Sequence, residues 1–225
     1  ERVDKLTITI DGPSGAGKST VARSLARRLG YVYIDTGAMY RSLALRAKEI
    51  GISPADEFAL EQLALSLHIR FATEGEQTHV FCEEEDITET IRTPEMSRLA
   101  SSISKQKGVR EALVQIQREM GKEGGVILEG RDIGTVVFPD ADVKFYLDAV
   151  GEERVRRRYH EMVQKGMKVD FQETQEELMQ RDHHDMHRDH SPLRKAEDAV
   201  FIDSTYRSVK EVVAEMIRIV RTKGK

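Results

Sequence analysis

Asparagine and tryptophan are absent from this chain, cysteine occurs once, and proline only 5 times in 225 residues. The lone thiol, Cys82, cannot close an internal disulfide, and no Cys/His pattern surrounds it, so it reads as a small packed side chain rather than a nucleophile. Without asparagine, the N-K-x-D element that reads guanine in GTP switches cannot exist. No apolar run approaches the length of a membrane span, and no basic-then-apolar leader opens the sequence, which sets the expectation of a cytoplasmic protein. Charge of neither sign dominates: 35 Lys and Arg face 39 Asp and Glu, so no positive field recruits nucleic acid or a membrane surface. Repeats and low-complexity tracts are missing as well. What remains, 39% hydrophobic and 33% charged residues, suits one enzyme core with an insertion, expected to work as a monomer.

Against that background one octapeptide carries chemistry. Gly12-Pro13-Ser14-Gly15-Ala16-Gly17-Lys18-Ser19 fits G-x-x-x-x-G-K-[ST], the phosphate-binding loop, and Thr20 follows it. Its context agrees. Leu6 to Ile10 alternates apolar with β-branched polar residues as a strand does, and Val21, Leu25, Ala26 and Leu29 recur at helical spacing until Gly30 stops the helix. The glycines let backbone N–H groups turn inward around a polyphosphate, and the helix N-terminus adds its positive end. Lys18 is then expected on the β- and γ-phosphates, with the Ser19 hydroxyl as a ligand to Mg²⁺.

Apolar or alternating segments separated by helical ones give the rhythm of a parallel sheet. Strands are expected over Leu6 to Asp11, Tyr31 to Asp35, Gly125 to Glu129, Val143 to Leu147 and Ala199 to Asp203. A ligand should lie at their carboxyl ends, where Asp11, Asp35, Glu129, Asp148 and Asp203 cluster as loop caps or as holders of Mg²⁺ and its waters. Between Ser53 and Lys107 the rhythm changes. Ser53-Pro54 should start a helix, Leu67 to Phe71 and Thr78 to Phe81 should pair around a turn at Ala72 to Glu76, and Thr93-Pro94 should start another helix. From Gly151 to about Arg194 a polar, arginine-rich, helical stretch with a break at Lys165-Gly166 has few apolar anchors, as a lid does.

A phosphate-binding loop names a nucleotide, not a reaction. Arginines beyond the strand ends and in the polar stretch narrow it, because bringing a γ-phosphoryl group to a phosphate acceptor gathers negative charge that guanidinium forks neutralise and orient. Two tempting patterns fall away. Asp35-Thr36-Gly37 matches the aspartic-protease string, but here it ends a strand of an α/β unit. His183, His184, His187 and His190, interleaved with Asp182, Asp185 and Asp189, have metal-ligand spacing, yet a solvated helix face is the simpler account.

Taken together, I-T-I-D-G-P-S-G-A-G-K-S-T (Ile8 to Thr20), Y-I-D-T-G-A-M-Y-R (Tyr33 to Arg41), E-G-R-D-I-G-T-V-V-F-P-D-A (Glu129 to Ala141) and R-D-H-H-D-M-H-R (Arg181 to Arg188) resemble bacterial cytidylate kinase over nearly the whole chain. The resemblance implies an α/β nucleoside-monophosphate-kinase fold with a five-stranded parallel core formed by residues 1–35, 108–150 and 195–225. It also implies a monophosphate-binding insert over 36–107, a lid over 151–194, and transfer of the γ-phosphoryl of ATP to CMP or dCMP with Mg²⁺. Residue by residue, it puts the acceptor phosphate on Arg41 and Arg131 with Arg188 nearby. The cytosine falls to Thr36, Ser101, Arg110 and Asp132, with Tyr40 also in the CMP set, and the ribose to Arg181 and Asp185. Lys18, Arg131, Arg154, Arg157 and Arg158 are the expected catalytic group. Some relatives carry serine where this chain has Thr36, which keeps the hydroxyl.

Overall fold

The structure, a computed structural model, describes residues 5–75 and 77–223. Its first strand, β1 (Thr7–Asp11), explains the layering. Four of its five residues are β-branched, and Ile8, Thr9 and Ile10 are all fully buried, so both faces are covered as in the middle of a parallel sheet. The phosphate-loop glycines follow, then α1 (Lys18–Leu29), which ends at Gly30 in the left-handed conformation. Next come β2 (Val32–Asp35) and α2 (Thr36–Glu49), with Asp35 capping α2 by accepting from the Ala38 amide.

The middle of the chain then departs from the sheet. It forms α3 (Glu57–Ser66), β3 (Ile69–Glu74), β4 (Gln77–Cys82), β5 (Glu85–Asp86), α4 (Pro94–Ile103) and α5 (Lys107–Gly121). The chain re-enters the sheet with β6 (Val126–Gly130), a π-helical turn (Ile133–Val137) and β7 (Val143–Asp148). An α-hairpin, α6 (Gly151–Gln164) and α7 (Phe171–His187), precedes β8 (Val200–Asp203) and α8 (Val209–Lys223).

The five long-range strands lie in the order β2-β6-β1-β7-β8, all parallel, while β3-β4-β5 form a separate antiparallel sheet. The register sets Asp11 opposite Gly130 on one side and Tyr146 on the other, so the phosphate loop and the segment after β6 emerge side by side. One apolar core, with Ile8, Ile10, Leu25 and Met216, lies under α1 and α8. The other, with Leu43, Leu113 and Leu128, is continuous with Leu60, Cys82 and Ile91 of the middle segment. Cys82 is a buried free thiol, as its isolation in the sequence implied. No helix of the described residues is long and apolar enough to cross a membrane.

All five expected strands of the parallel sheet are present. Three details of the middle segment differ from expectation. Ser53-Pro54 does not begin α3: the Ser53 carbonyl and hydroxyl close a turn on the Asp56 and Ala55 amides, and Asp56 caps the helix by accepting from the Ala59 amide at 3.0 Å. The strands run further than expected, β3 continuing to Glu74 and β4 starting at Gln77, which leaves Gly75, at φ 61°, in the turn and Glu76 outside the described residues. Finally, β5 was not anticipated. Its hairpin puts Glu83 and Glu84 at φ 49° and 67°, positions usually signalled by glycine or asparagine, and neither residue is there.

Candidate active site

At the carboxyl ends of β1 and β6 the backbone dictates the residue types. A Cβ on Gly12 would come within 1.9 Å of the Leu147 carbonyl oxygen, and one on Gly15, at φ 75°, within 2.6 Å of the Arg154 carbonyl oxygen. Only glycine lets the loop pass between β7 and α6. Lys18 is buried, its Nζ donating to the Pro13 carbonyl at 2.8 Å. Burial first, and then the Arg131 charge, lower its ammonium to about 7. Beside it the Ser19 hydroxyl donates to Glu129 Oε1 at 2.5 Å, and the Tyr33 hydroxyl donates to the same oxygen at 2.7 Å. Burial and the Glu129 charge hold the Tyr33 phenol well above its usual range, so it remains a donor. Behind them, burial pushes the Asp11 carboxyl up to about 6 against the pull of two backbone amides.

A second group of charges adjoins this loop. Asp132 accepts from Arg110 at 2.5 Å, both side chains being no more than 5% exposed, and Arg110 also donates to the Ser104 carbonyl and lies over the Tyr40 ring. Arg131 donates from Nε to Asp185 at 2.8 Å. Burial works against ionisation of Asp185, but the charges of Arg131 and Arg181 prevail and hold its carboxyl below its usual range. Arg41 pairs with Asp35 at 3.0 Å, Thr36 donates to the Glu129 carbonyl at 2.7 Å, and Arg188 is held by the Ser191 carbonyl. Arg181 is lowered to about 10 by burial and then by Arg131, and its buried Nε has no partner among the described residues.

These two groups share one cavity of about 1090 Å³. Every residue expected around CMP, from Thr36 and Tyr40 through Ser101 to Arg188, lines it, as do Ser14 to Thr20 of the phosphate loop. Gly12 and Pro13 do not line it and act through the backbone instead. The three α6 arginines separate. Arg158 lines the cavity and pairs with Glu161 on its own helix at 3.1 Å, while Arg157 lines it but is tied to the Ser204 carbonyl at 2.6 Å. Arg154 departs from expectation: it is outside the lining and splints α6, donating to the Ser14 and Ala149 carbonyls and to Asp182.

The sequence reading missed several contributors, Arg23, Arg92 and Lys165 of the lining among them. Tyr33 holds Glu129, Arg156 lines the cavity from α6, and Ser204 to Ser208 line it just after β8, with the Ser204 hydroxyl donating to the Ala16 carbonyl at 2.9 Å. The only signal for the last was a polar run, S-T-Y-R-S, directly after a strand. As for metals, no cluster of three or more His, Cys, Asp or Glu able to hold one occurs among the described residues, and the His183 and His187 rings stack on each other.

Comparison with known proteins fits this geometry. The model of the cytidylate kinase family matches residues 8–222. The chain is 54% identical over 216 residues to the cytidylate kinase of Geobacter sulfurreducens, covering 96% of this chain and 93% of that protein. It is 47% identical to the cytidylate kinase of Caldicellulosiruptor bescii, covering 96% and 95%. Among solved structures, an uncharacterised Eubacterium ventriosum protein aligns with TM-score 0.54 at 12% identity, covering 96% of this chain and 98% of that one. A Thermus thermophilus protein aligns with TM-score 0.50 at 18% identity, covering 98% of both. Those two share the fold. With a family model that spans nearly the whole chain and relatives near half identity, this chain belongs to the cytidylate kinase family.

Proposed function

We propose that this protein moves the γ-phosphoryl of ATP to CMP or dCMP, giving ADP and CDP or dCDP. The observation that carries it is the buried Arg110–Asp132 pair, adjacent to Arg131, in the same cavity as Lys18. Cytosine offers an exocyclic amine donor beside two acceptors, N3 and O2. A fixed carboxylate next to a fixed guanidinium matches that edge, whereas uracil puts a carbonyl where the amine would be.

Chemistry follows from placement. The loop amides and Lys18 hold the donor phosphates, and Arg131 and Arg41 hold the acceptor phosphate, with Arg188 beside them. The arginines then neutralise charge as the two phosphates approach, with no covalent enzyme intermediate required. Arg157 and Arg158 come to the transferring group from α6, and Ser204 to Ser208 close the donor end of the cavity. Arg181 and Asp185 serve the ribose, and Thr36 and Ser101 the base. The oxygen set at Ser19 and Glu129 suits Mg²⁺, which takes hard oxygen ligands and keeps several waters, so a cage of three carboxylates is unnecessary. When bound there, Mg²⁺ supplies charge neutralisation to the donor phosphates. The middle segment, 36–107, is the monophosphate-binding unit and the stretch 151–194 the lid. The near balance of charge and the small-molecule cavity support action on free nucleotides rather than on nucleic acid.

Coupled measurement of ADP formation with CMP, dCMP, UMP, AMP and a hydroxyl acceptor such as shikimate tests this. CMP and dCMP should lead clearly. Equal specificity constants for CMP and AMP, or turnover of the hydroxyl acceptor alone, would sink the proposal.

A further inference from the structure

The residue that ties the two halves of the cavity together lines neither. Asp11 ends β1, directly before Gly12, and is 4% exposed. Both oxygens of its carboxylate are used by a segment more than a hundred positions away: Oδ1 accepts from the Ile133 amide at 2.9 Å and Oδ2 from the Gly134 amide at 2.8 Å. Those are the first two amides of the π-helical turn, which have no partner within the turn itself. The turn is pressed against the sheet there. A Cβ on Gly134 would meet Thr9 Oγ1 at 2.9 Å and Lys144 Cδ at 3.2 Å. Asp132 supplies the turn's other fixed point, its carbonyl accepting from the Val136 and Val137 amides.

Only Arg131 and Asp132 separate the end of β6 from this anchored turn. Their backbone is therefore fixed at both ends, by the β6 ladder and by Asp11. Among the described residues neither oxygen of this carboxylate is bonded to a strand, so it is no part of the sheet's own ladder. We propose that Asp11 is a positioning residue, holding the Arg131-Asp132 pair at a fixed distance from the phosphate-binding loop. This rests on the acceptor roles given above to Arg131 and Asp132. Asp11 itself touches no substrate. Its effect is transmitted through the turn, so it governs the acceptor and its base more than the donor.

Two variants test it. Asp11→Asn keeps the shape but turns an amide NH₂ toward one of the two backbone N–H groups. Gly134→Ala keeps Asp11 and lifts the turn off Thr9 and Lys144. Each should raise the KM for CMP at least tenfold and erode the preference for CMP over UMP, with the KM for ATP within twofold of the parent. In Asp11→Asn, hydrogen exchange at the Ile133 and Gly134 amides should also accelerate at least tenfold without any nucleotide. Unchanged exchange at those amides overturns the proposal, as does an equal rise in both KM values or a fall in kcat that follows only the loss of folded protein. If the parent protein does not phosphorylate CMP at all, the acceptor reading fails by that result alone, and the exchange measurement still decides whether Asp11 holds the turn.

Discussion

The acceptor end of the cavity and helix α6 both present guanidinium groups, but they hold them in opposite ways. Arg110 pairs with Asp132 across 22 residues of sequence and Arg131 with Asp185 across 54, with the carboxylates 5% and 6% exposed. On α6 the partners are one helical turn away: Arg156 with Glu153 and Arg158 with Glu161, the latter 27% and 48% exposed. Pairs of the first kind are assembled by the fold, and neither partner moves without leaving a buried charge behind. Pairs of the second kind are solvated and worth well under a kilocalorie, so a phosphate can take the arginine at little cost. Under the function proposed above, rigid recognition and mobile charge delivery are thus separated within one cavity. Arg154 shows that the distinction lies in partners and not in the helix, because on α6 it pairs with Asp182, in α7, with both side chains largely buried.

The largest effect expected is on stability. Asp132→Ala strands a buried guanidinium and should cost about 3–5 kcal/mol in urea unfolding. Arg158→Ala, by contrast, should stay within about 0.5 kcal/mol of the parent. Similar losses for the two would erase the contrast drawn between the regions.

Lys18→Ala should show the reverse profile: turnover lowered about 10²–10³-fold, the cost typical of removing one charge-stabilising donor, with only a small shift in melting temperature. Burial and the Arg131 charge already lower Lys18, so its removal also relieves a buried repulsion and offsets part of the contact it forfeits. A variant that keeps near-parental turnover would take Lys18 out of the chemistry.

What the sequence disclosed follows the same division. The phosphate loop was legible because its demands are local: glycines where the backbone turns and a lysine at the helix start. The parallel strands were legible because burial on both faces leaves apolar runs. Pairings between distant residues left no such trace. Nothing at Arg154, Arg157 or Arg158 distinguishes the splint from the cavity-facing arginines. What separates them is a carboxylate 28 positions away and a serine carbonyl 47 positions away. Tyr33 resembled any strand aromatic until β6 brought Glu129 beside it. The acceptor residues were assigned through resemblance to a family and not through spacing, since Arg110, Asp132 and Asp185 meet only once the sheet order is known.

Base selection sharpens the rigid side of the comparison. If Arg110 and Asp132 face the cytosine edge, UMP leaves a buried partner unpaired and should be discriminated against by about 1–3 kcal/mol in kcat/KM. Asp132→Asn, which keeps the volume but replaces one acceptor with a donor, should bring CMP and UMP closer together. Loss of activity with an unchanged CMP to UMP ratio would instead place the base elsewhere in the cavity.

The smallest effect belongs to the mobile side. Among the described residues Arg158 is bonded only within its own helix, so its removal should leave ground-state binding nearly intact and weaken only the interaction that forms as charge develops on the transferring group. Arg158→Ala should therefore lower kcat about tenfold, roughly 1.4 kcal/mol, with the KM for CMP changing less than twofold. Arg154→Ala is the matched control on the same helix. Having lost bonds to the Ser14 carbonyl and Asp182, it should lower the melting temperature and raise the KM for ATP, because the phosphate loop is what it braces. If both variants lower kcat alone and leave stability unchanged, Arg154 is a mobile charge like its neighbour, and one helix would not contain both kinds of arginine.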